Sequence, residues 1–421
     1  MPSISSPTQT TPLSQPLIHQ TAKSSTVKSE VAQQLKGISS DQSVSQSKSL
    51  KVEKEGMIYS PFAVKDSVLS CLGHNLNRLK QDKPLYPVIL KDDNAKAQFE
   101  QIKTTLLKTY TDKADKAHTL LAGYAKDQGV QISQVLEAPE RDAAAAKKEL
   151  ALRASSTSEA PSSQQARPFK TLTSEQLNRF INTAETLAHI VKLAENSAAF
   201  RDVLIKLEVH SDQSEHKLQQ LSPDKNKLYI IGHGGAGSYT LTPKIDSNLN
   251  EGITAYQLAS NLAKAGLRKD FIDIRTTSCW SADSHRITAF DEPQLEEASK
   301  TKTISKPWLF FWSTKTIDRQ PFAQEFSDSL GVMGFYNAQV TGYHGQGKTI
   351  PLGEHQSRII PKDSSAPKDN SIPKDNSDPI TVRSSKAKHV FTPNLTWEIR
   401  LSNYLSSLKD SMLNWFRSSN A

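Results

Sequence analysis

Two side chains capable of covalent catalysis follow two short apolar runs in the middle part of the chain. His233 comes after the run 228–231 (LYII), within Gly-His-Gly-Gly, and Cys279 comes after the run 271–275 (FIDIR), within Thr-Thr-Ser-Cys. A thiolate is the nucleophile in cysteine chemistry, and an imidazole beside it activates it or protonates a leaving amine. The pair therefore indicates attack on a carbonyl carbon, with Cys279 as the nucleophile and His233 as its partner.

The same reaction requires hydrogen-bond donors for the negative oxygen that forms on the attacked carbonyl. Gly234 and Gly235 follow the histidine, and the lack of a Cβ lets a backbone approach a substrate closely. We interpret the backbone N–H groups of Gly234 and Cys279 as the candidate oxyanion donors.

The two apolar runs are predicted to be strands of a parallel sheet. The segment 254–267 between them has the apolar spacing of an amphipathic helix, and Gly266 suits its C-terminal cap. Strand–helix–strand alternation predicts an α/β fold with right-handed crossovers. Because 279 − 233 = 46 residues accommodate one loop, one helix and one strand, we expect both side chains at the carboxyl edge of the sheet, where ligands bind in such folds.

A strand ending in His-Gly, followed by a strand ending in Ser-Cys-x-Ser-Ala, resembles the caspase/gingipain/clostripain group of cysteine proteases. Within that group the sequence is most similar to the autoprocessing domains of large bacterial toxins, which inositol hexakisphosphate activates, and to OspB-like type III effector proteases. The stretches 322–330 and 340–345 (VTGYHG) look like the following helix and strand, so the resemblance covers about residues 225–350. It implies a caspase-like parallel-sheet protease domain, a hydrolase that cleaves peptide bonds with Cys279 and His233 and requires no metal.

The resemblance also implies a biological setting. Type III effectors are virulence proteins that a bacterium secretes and that act in the host cell cytoplasm. A host protein and the chain itself both remain open as substrates, because the toxin domains cut their own chain whereas this protease is not embedded in a giant one.

An inositol phosphate activator would need a basic surface. The formal charge of 52 − 44 = +8 and the pI of about 9.1 favour anionic partners, although no nucleic acid is expected. The candidate activator-binding residues are Lys264, Arg268, Lys269, Arg275, Arg286, Lys315 and Arg319.

A third catalytic residue is not assigned by either motif. Asp246, Asp273 and Asp283 are candidates because each lies near the motifs in the sequence.

The rest of the chain is predicted to be partly disordered and partly helical. Residues 1–55 are rich in Ser, Thr, Gln and Lys, which fits either an export signal or an ordinary disordered tail. The segment 57–150 has helical spacing and is a candidate for localisation or for docking a secretion chaperone. The predicted order is a disordered secretion-signal-like region (1–55), a helical domain (56–153), a linker (154–168), the cysteine protease domain with an N-terminal helix (169–352), a repeat-containing linker (353–385) and a C-terminal amphipathic helix (386–421).

The chain contains only two cysteines, Cys71 and Cys279. Two thiols cannot form a disulfide framework or a four-thiolate zinc site, so a reducing compartment is expected. Cys71 lies among apolar residues and is interpreted as a buried small hydrophobe. No apolar run reaches the ~18–20 residues of a membrane span.

The same residues allow three other interpretations. Gly232-His-Gly-Gly-Ala-Gly237 satisfies the dinucleotide fingerprint GxGxxG, but the residues that follow favour a strand rather than the required helix. His-Gly-Gly also occurs in the oxyanion loop of serine esterases, but those enzymes need a GxSxG elbow that this sequence lacks. The third alternative is a non-catalytic effector scaffold that binds host proteins or membrane.

Overall fold

The computed structural model describes residues 53–129, 131–137, 139–155, 172–245, 247–308, 312–350, 355–361 and 379–394. The predictions for residues 1–52, for most of the linker 154–168, for Asp246 and for the helix beyond residue 394 lie outside these ranges. All described residues belong to one compact unit, Val52–Ala421. No helix of the described part is long and apolar enough to cross a membrane.

The strands of the described part are short, and half of them form a single sheet. In chain order they are β1 (Glu55–Ser60), β2 (Val88–Leu90), β3 (Val209–Ser211), β4 (Asn226–Ile230), β5 (Thr240–Leu241), β6 (Ile253–Thr254), β7 (Asp273–Thr276), β8 (Lys302–Trp308), β9 (Trp312–Arg319), β10 (Gln339–Tyr343), β11 (Gln346–Gly347), β12 (Ser357–Ile360), β13 (Ile380–Arg383) and β14 (Lys388–Phe391).

The central sheet has seven strands in the order β14-β10-β7-β4-β1-β2-β3. All neighbouring pairs are parallel except β10 and β14, which are antiparallel. Strands β4 and β7 are adjacent, with Leu228 opposite Ile274. The predicted α/β class with a parallel sheet is therefore confirmed, and the two motif-bearing strands lie side by side.

The helices cover both faces of this sheet. They are α1 (Lys65–Lys80), α2 (Asp93–Asp127), α3 (Ile132–Glu137), α4 (Pro139–Ser155), α5 (Ser174–Lys206), α6 (Asp212–Glu215), α7 (Ala255–Lys264), α8 (Glu292–Ser299) and α9 (Phe322–Val332).

Strand β4 shows how the sheet separates two cores. Leu228 and Ile230 pack into a cluster with apolar residues of α7 and α9, whereas Tyr229 and Ile231 pack into a second cluster with residues of α1, α2 and α5. Successive side chains of a strand point to opposite faces, so a strand buried on both sides must be apolar throughout. The continuous apolar run at 228–231 has this cause.

The helix that connects β4 to β7 begins and ends at residues the sequence identifies. Thr254 and Gln257 form a reciprocal capping box at the start of α7, which satisfies two backbone N–H groups that the first turn leaves open. Gly266 follows the helix with φ +81°, a left-handed conformation that glycine adopts without a Cβ penalty. The predicted cap at Gly266 is confirmed.

The prediction of a separate helical domain at 56–153 is wrong, because this segment shares the central sheet with the residues that follow it. This segment does carry α1 to α4, but it also contributes β1 and β2, and β1 lies between β4 and β2 in the central sheet. Both strands are only three to six residues long and neighbour long helices, so their pattern is weak beside the helical periodicity. The sheet that carries the motifs is thus built from both sides of the predicted linker.

The predicted linker 353–385 and C-terminal helix 386–421 also differ from the structure. Strands β12 and β13 pair within 353–385, and β14 joins the edge of the central sheet within 386–421. Each of these strands is only four residues long and contains a Lys or Arg, and β13 and β14 lie at sheet edges, so none has the long apolar run of a strand buried on both faces. The apolar stripe beginning at Leu401 lies outside the described residues.

Candidate active site

His233 lies in the loop that leaves β4 at the carboxyl edge of the sheet. Its backbone exchanges two hydrogen bonds with Thr242, with both N–O distances 2.9 Å, which fixes the loop against the segment that follows β5. The side chain is 20% exposed, so the imidazole is held in place and still accessible to a substrate.

Cys279 lies in the loop that leaves β7, the strand next to β4. The N–H of Thr277 donates to the carbonyl of Ile230 at 3.0 Å, which continues the pairing of the two strands up to the motif. The Ser281 hydroxyl donates to the Thr276 carbonyl at 2.8 Å and accepts the N–H of Tyr343 at 2.9 Å. Ser281 is buried and braces the loop between β7 and β10, and the Cys279 side chain is partly exposed.

The two loops touch at Gly234. A Cβ at this position would lie 3.1 Å from the carbonyl oxygen of Cys279 and 3.3 Å from the hydroxyl oxygen of Ser278. Such distances are shorter than most Cβ contacts, so a larger residue at this position would require one of the two loops to shift by a few tenths of an ångström. Gly235 differs, because a Cβ there would meet no atom within 4 Å.

His233 and Cys279 also line one cavity of about 380 Å³. The expectation that neighbouring parallel strands bring both side chains to the same edge agrees with this arrangement. The backbone N–H groups of Gly234 and Cys279 make no hydrogen bond within the described part of the chain, as the oxyanion role requires.

The carboxylate that contacts His233 in the described part of the chain is Asp66, which the sequence analysis did not identify. Its Oδ2 lies 3.1 Å from Nε2 of His233. Asp66 is in the first turn of α1, the helix that follows β1, and β1 is the other neighbour of β4. With Nε2 donating to Asp66, Nδ1 is the nitrogen that can accept a proton from a thiol.

Two of the three acidic residues that the sequence suggested as partners of His233, Asp273 and Asp283, bind other groups. Asp273 forms a two-pronged ion pair with Arg275, at 2.8 and 2.9 Å. Asp283 is fully buried, and its Oδ1 lies 2.6 Å from Nδ1 of His344 while Oδ2 accepts the N–H of Gly345 at 2.9 Å. Both are therefore wrong as partners of His233, because proximity in the sequence did not reflect the side chain directions. Asp246 lies outside the described residues.

Asp283 and His344 have a structural role in the same loop. The pair joins the end of the cysteine loop to the end of β10, and the N–H of Trp280 donates to the Gly345 carbonyl at 2.8 Å. Trp280 has φ +58°, a left-handed conformation that is uncommon for a bulky residue. The strained turn directly after Cys279 is thus held by contacts from β10.

Two basic side chains adjoin the cysteine loop, Arg358 and His74. Arg358, at 4% exposure, donates to the backbone carbonyls of Thr277 and Ser278 at 3.0 and 3.1 Å. Burial lowers the pKa of its guanidinium, and the neighbouring Cys279 opposes that effect. Nε2 of His74 lies 3.3 Å from the Thr277 hydroxyl oxygen, and burial together with Arg358 lowers the pKa of His74 to about 4. His74 is therefore neutral at pH 7.

The predicted activator-binding residues do not form one cluster in the described structure. Arg268 and Arg275 are paired with Asp270 and Asp273, and Lys269 donates to the Met333 carbonyl at 2.7 Å. Arg286 and Arg319 are exposed, and Arg319 lies 4.0 Å from Asp318. Lys315 lies in β9 opposite Ser305 of β8. Lys264, at the end of α7, lines a cavity of about 560 Å³ together with Lys91, Asp92 and Asp212.

The dinucleotide interpretation of Gly232–Gly237 is wrong. The glycine-rich loop leads into β5 rather than into a helix, so no helix N-terminus is available for a pyrophosphate.

Comparisons with protein families, curated proteins and solved structures found no match to this chain. Within the described ranges, no group of three or more His, Cys, Asp or Glu side chains is arranged to hold a metal ion.

Proposed function

We propose that the protein is a cysteine endopeptidase of the caspase-like group, with Cys279 as nucleophile, His233 as general base and acid, and Asp66 as the residue that orients the imidazole. The observation that carries this proposal is the meeting of two loops at the carboxyl edge of adjacent parallel strands. His233 and Cys279 line the same cavity there, and Gly234 packs against the Cys279 backbone.

The chemistry follows from these positions. Cys279 Sγ attacks the carbonyl carbon of the scissile peptide bond, and its proton passes to Nδ1 of His233. The oxyanion accepts hydrogen bonds from the N–H groups of Gly234 and Cys279. His233 then returns the proton to the leaving amine, which gives an acyl-enzyme thioester. Water, deprotonated by His233, hydrolyses the thioester, releases the carboxylic acid and restores the thiol.

Asp66 supplies the remaining element of the constellation. An imidazole that loses one hydrogen bond can rotate or adopt the wrong tautomer, and a carboxylate on the distal nitrogen prevents both. The carboxylate also stabilises the imidazolium that forms during the attack.

The experiment uses the purified full chain. Wild type, Cys279→Ser, His233→Ala and Cys71→Ala are incubated in host-cell lysate with and without inositol hexakisphosphate, and new N-termini are labelled and identified. We expect new N-termini from wild type and Cys71→Ala alone, because Cys71 is fully buried and outside the site. Identical patterns from all four proteins would refute the protease and leave the non-catalytic scaffold in its place.

The same experiment addresses the substrate and the activator. Fragments of the chain itself would identify self-processing, whereas fragments of a lysate protein would identify a host substrate. We include inositol hexakisphosphate as the proposed activator because of the net charge of +8 and the exposed Lys264, Arg286 and Arg319.

The proposed setting is that of a secreted type III effector acting in the host cell cytoplasm, with a secretion chaperone as a further partner. This part of the proposal is supported by the resemblance of residues 225–350 to effector proteases and by the polar composition of residues 1–55.

A further inference from the structure

Helix α1 contacts both loops that carry the candidate catalytic residues. Asp66, in its first turn, lies 3.1 Å from Nε2 of His233, which belongs to the loop after β4 (the histidine loop). His74, about two turns further along the same helix, lies 3.3 Å from the hydroxyl oxygen of Thr277. Thr277 directly follows β7 and belongs to the loop that carries Cys279 (the cysteine loop). One rigid helix therefore joins the two loops.

The hydrogen bonds around Thr277 determine which group is the donor in the contact with His74. The Thr277 hydroxyl has a single proton, which it donates to the Ile230 carbonyl at 3.2 Å. Its oxygen then accepts from His74, so Nε2 of His74 carries a proton. The imidazole is neutral at pH 7, because burial and the nearby Arg358 lower its pKa to about 4. His74 is thus a fixed donor to the cysteine loop throughout the neutral pH range.

The ring of His74 is held in this orientation by the central sheet. Its centroid lies 5.5 Å from that of the Tyr229 ring on β4, at an interplanar angle of 50°. Tyr229 in turn stacks on Tyr86, with the two centroids 5.2 Å apart. A side chain whose rotamer is fixed by packing can hold its hydrogen-bond partner in place. Since β4 leads into the histidine loop, His74 contacts the supports of both loops.

Helix α1 is also fixed from the side of β11 and β12. A Cβ at Gly73 would overlap the backbone carbonyl oxygen of Thr349, so the helix meets this segment backbone to backbone. Nε2 of Gln356 donates to the Gly73 carbonyl at 2.7 Å. Glycine inside a helix is destabilising relative to alanine, and at this position it permits the close contact. A helix held in this way is suited to keep two loops at a fixed spacing.

We propose that α1 sets the spacing between the histidine loop and the cysteine loop, and that His74 is a positioning residue that keeps Cys279 aligned with His233 by holding Thr277. The inference rests on the proposed protease function, because a thiol and an imidazole on separate loops react only while the loops keep their relative positions. It assigns a role to a side chain that lines the same cavity as the dyad without belonging to it.

The first test separates the hydrogen bond of His74 from its bulk. His74→Phe keeps a ring but loses the donor, whereas the amide nitrogen of His74→Gln can take the position of Nε2. The substrate is a peptide that spans the first cleavage site identified in the lysate experiment. We expect His74→Phe to lower kcat at least about tenfold with KM little changed, and His74→Gln to stay within about threefold of wild type.

The matched control is His118→Phe, because His118 is an exposed histidine of α2. It should keep the wild-type kcat, and the thermal unfolding of all variants is measured alongside. A kcat for His74→Phe equal to that of wild type, or a loss that His74→Gln does not restore, would overturn the proposal.

A double-mutant cycle tests whether the two contacts of α1 act as one bridge. Asp66→Ala removes the contact with His233, so a further loss at His74 has no spacing left to disturb. We expect the double variant Asp66→Ala/His74→Phe to have a kcat within about threefold of Asp66→Ala alone. Contacts that act independently would multiply, so a further loss of about tenfold in the double variant would refute the bridge.

A readout that does not require catalysis follows the cysteine loop directly. The backbone N–H of Thr277 donates to the Ile230 carbonyl at 3.0 Å, so its exchange with deuterium reports whether the cysteine loop stays against β4. We expect His74→Phe to raise the exchange rate of this amide about tenfold and His74→Gln to leave it unchanged. The amides of α7, which packs on the other face of the sheet, are the internal reference.

The two kinds of measurement distinguish failure of this inference from failure of the protease. No cleavage by any of the proteins, together with faster exchange at Thr277 in His74→Phe alone, would refute the protease and leave the positioning contact standing. Equal cleavage by wild type and His74→Phe, with unchanged exchange, would refute this inference and leave the protease. Faster exchange without a change in kcat would show that the contact only stabilises the loop, and would also refute the inference.

Discussion

Asp66 and His233 are 167 positions apart in the sequence, yet their side chains lie 3.1 Å apart. Their proximity depends on one fact about the sheet, namely that β1 is inserted next to β4. The first turn of α1 then begins at the same edge as the histidine loop. The carboxylate that contacts His233 could therefore not be identified from the sequence around the two motifs.

The Asp66→Asn substitution tests this pair. Asparagine keeps the shape but favours the wrong imidazole tautomer and does not stabilise an imidazolium, so we expect kcat to fall roughly 10²- to 10⁴-fold with KM little changed. The measurement is kcat and its pH profile for the most rapidly cleaved substrate.

Asp82→Asn, in the exposed turn after α1, is the matched control and should keep wild-type rates. Equal activity of Asp66→Asn and Asp82→Asn would show that the contact between Asp66 and His233 is not used in the reaction.

The approach of the histidine loop to the cysteine loop gives a second prediction at this scale. In Gly234→Ala the new methyl group would lie about 3.1 Å from the Cys279 carbonyl, so one of the two loops must shift by a few tenths of an ångström. Since misplacement on this scale disturbs both the dyad and the oxyanion donors, we expect kcat/KM to fall at least about a hundredfold.

Gly235→Ala supplies the comparison, because its methyl group would meet nothing within 4 Å. Activity and thermal unfolding should both stay close to wild type. A Gly234→Ala protein as active as Gly235→Ala would contradict the tight contact described here.

At the scale of helices and strands, the elements that could be predicted from the sequence were those with an apolar run or a recognisable capping residue. The runs that became β4 and β7, and the cap at Gly266, were readable because a central parallel strand must be apolar on both faces and because a left-handed residue after a helix favours glycine. The meeting of the two motifs at one edge followed from these elements alone.

Other parts of the site could not be read in this way. Arg358 lies on β12, a strand of only four residues inside a segment predicted to be a linker, and His74 of α1 packs against Tyr229 of the central sheet. Their roles depend on which distant elements are adjacent, and that is determined by tertiary packing rather than by local pattern. The same reason hid β1 and β2 inside a segment dominated by helices.

Helix α9 offers a prediction about pH and stability. Burial raises the pKa of Glu325 from its ordinary value of 4.5 to about 7, and that of Asp328 from 3.8 to about 6. A folded state that holds protons more tightly than the unfolded state loses stability as pH rises, from the unfolded pKa up to the folded pKa. We therefore expect the free energy of unfolding to fall by roughly 2 kcal/mol between about pH 4.5 and 7 because of Glu325.

Urea unfolding at a series of pH values measures this effect. Glu325→Gln cannot ionise, so it should remove that part of the decline and be more stable than wild type at pH 7.5. Glu292→Gln, an exposed carboxyl in the first turn of α8, should leave the decline unchanged. If wild type and Glu325→Gln show the same pH dependence, the buried carboxyl is not protonated in the folded protein.

At the scale of the whole molecule, the described part is one unit organised around one sheet. The cysteine loop is held by β10 through Asp283 and His344, and by β12 through Arg358. The histidine side chain is held by α1 through Asp66. The candidate site thus draws on residues from Asp66 to Arg358, which is most of the described length.

The central position of β1 determines which segment of the chain recombination could transfer as a folded unit. A cassette of residues 169–352, the stretch that carries both motifs, would leave behind β1, the carboxylate beside His233, the guanidinium beside Cys279 and the edge strand β14. Such a cassette would carry an open sheet and would lack two side chains that contact the candidate site, so recombination could not move it between larger proteins with this structure intact. A segment that keeps all seven strands of the central sheet must include every residue from Glu55 to Phe391.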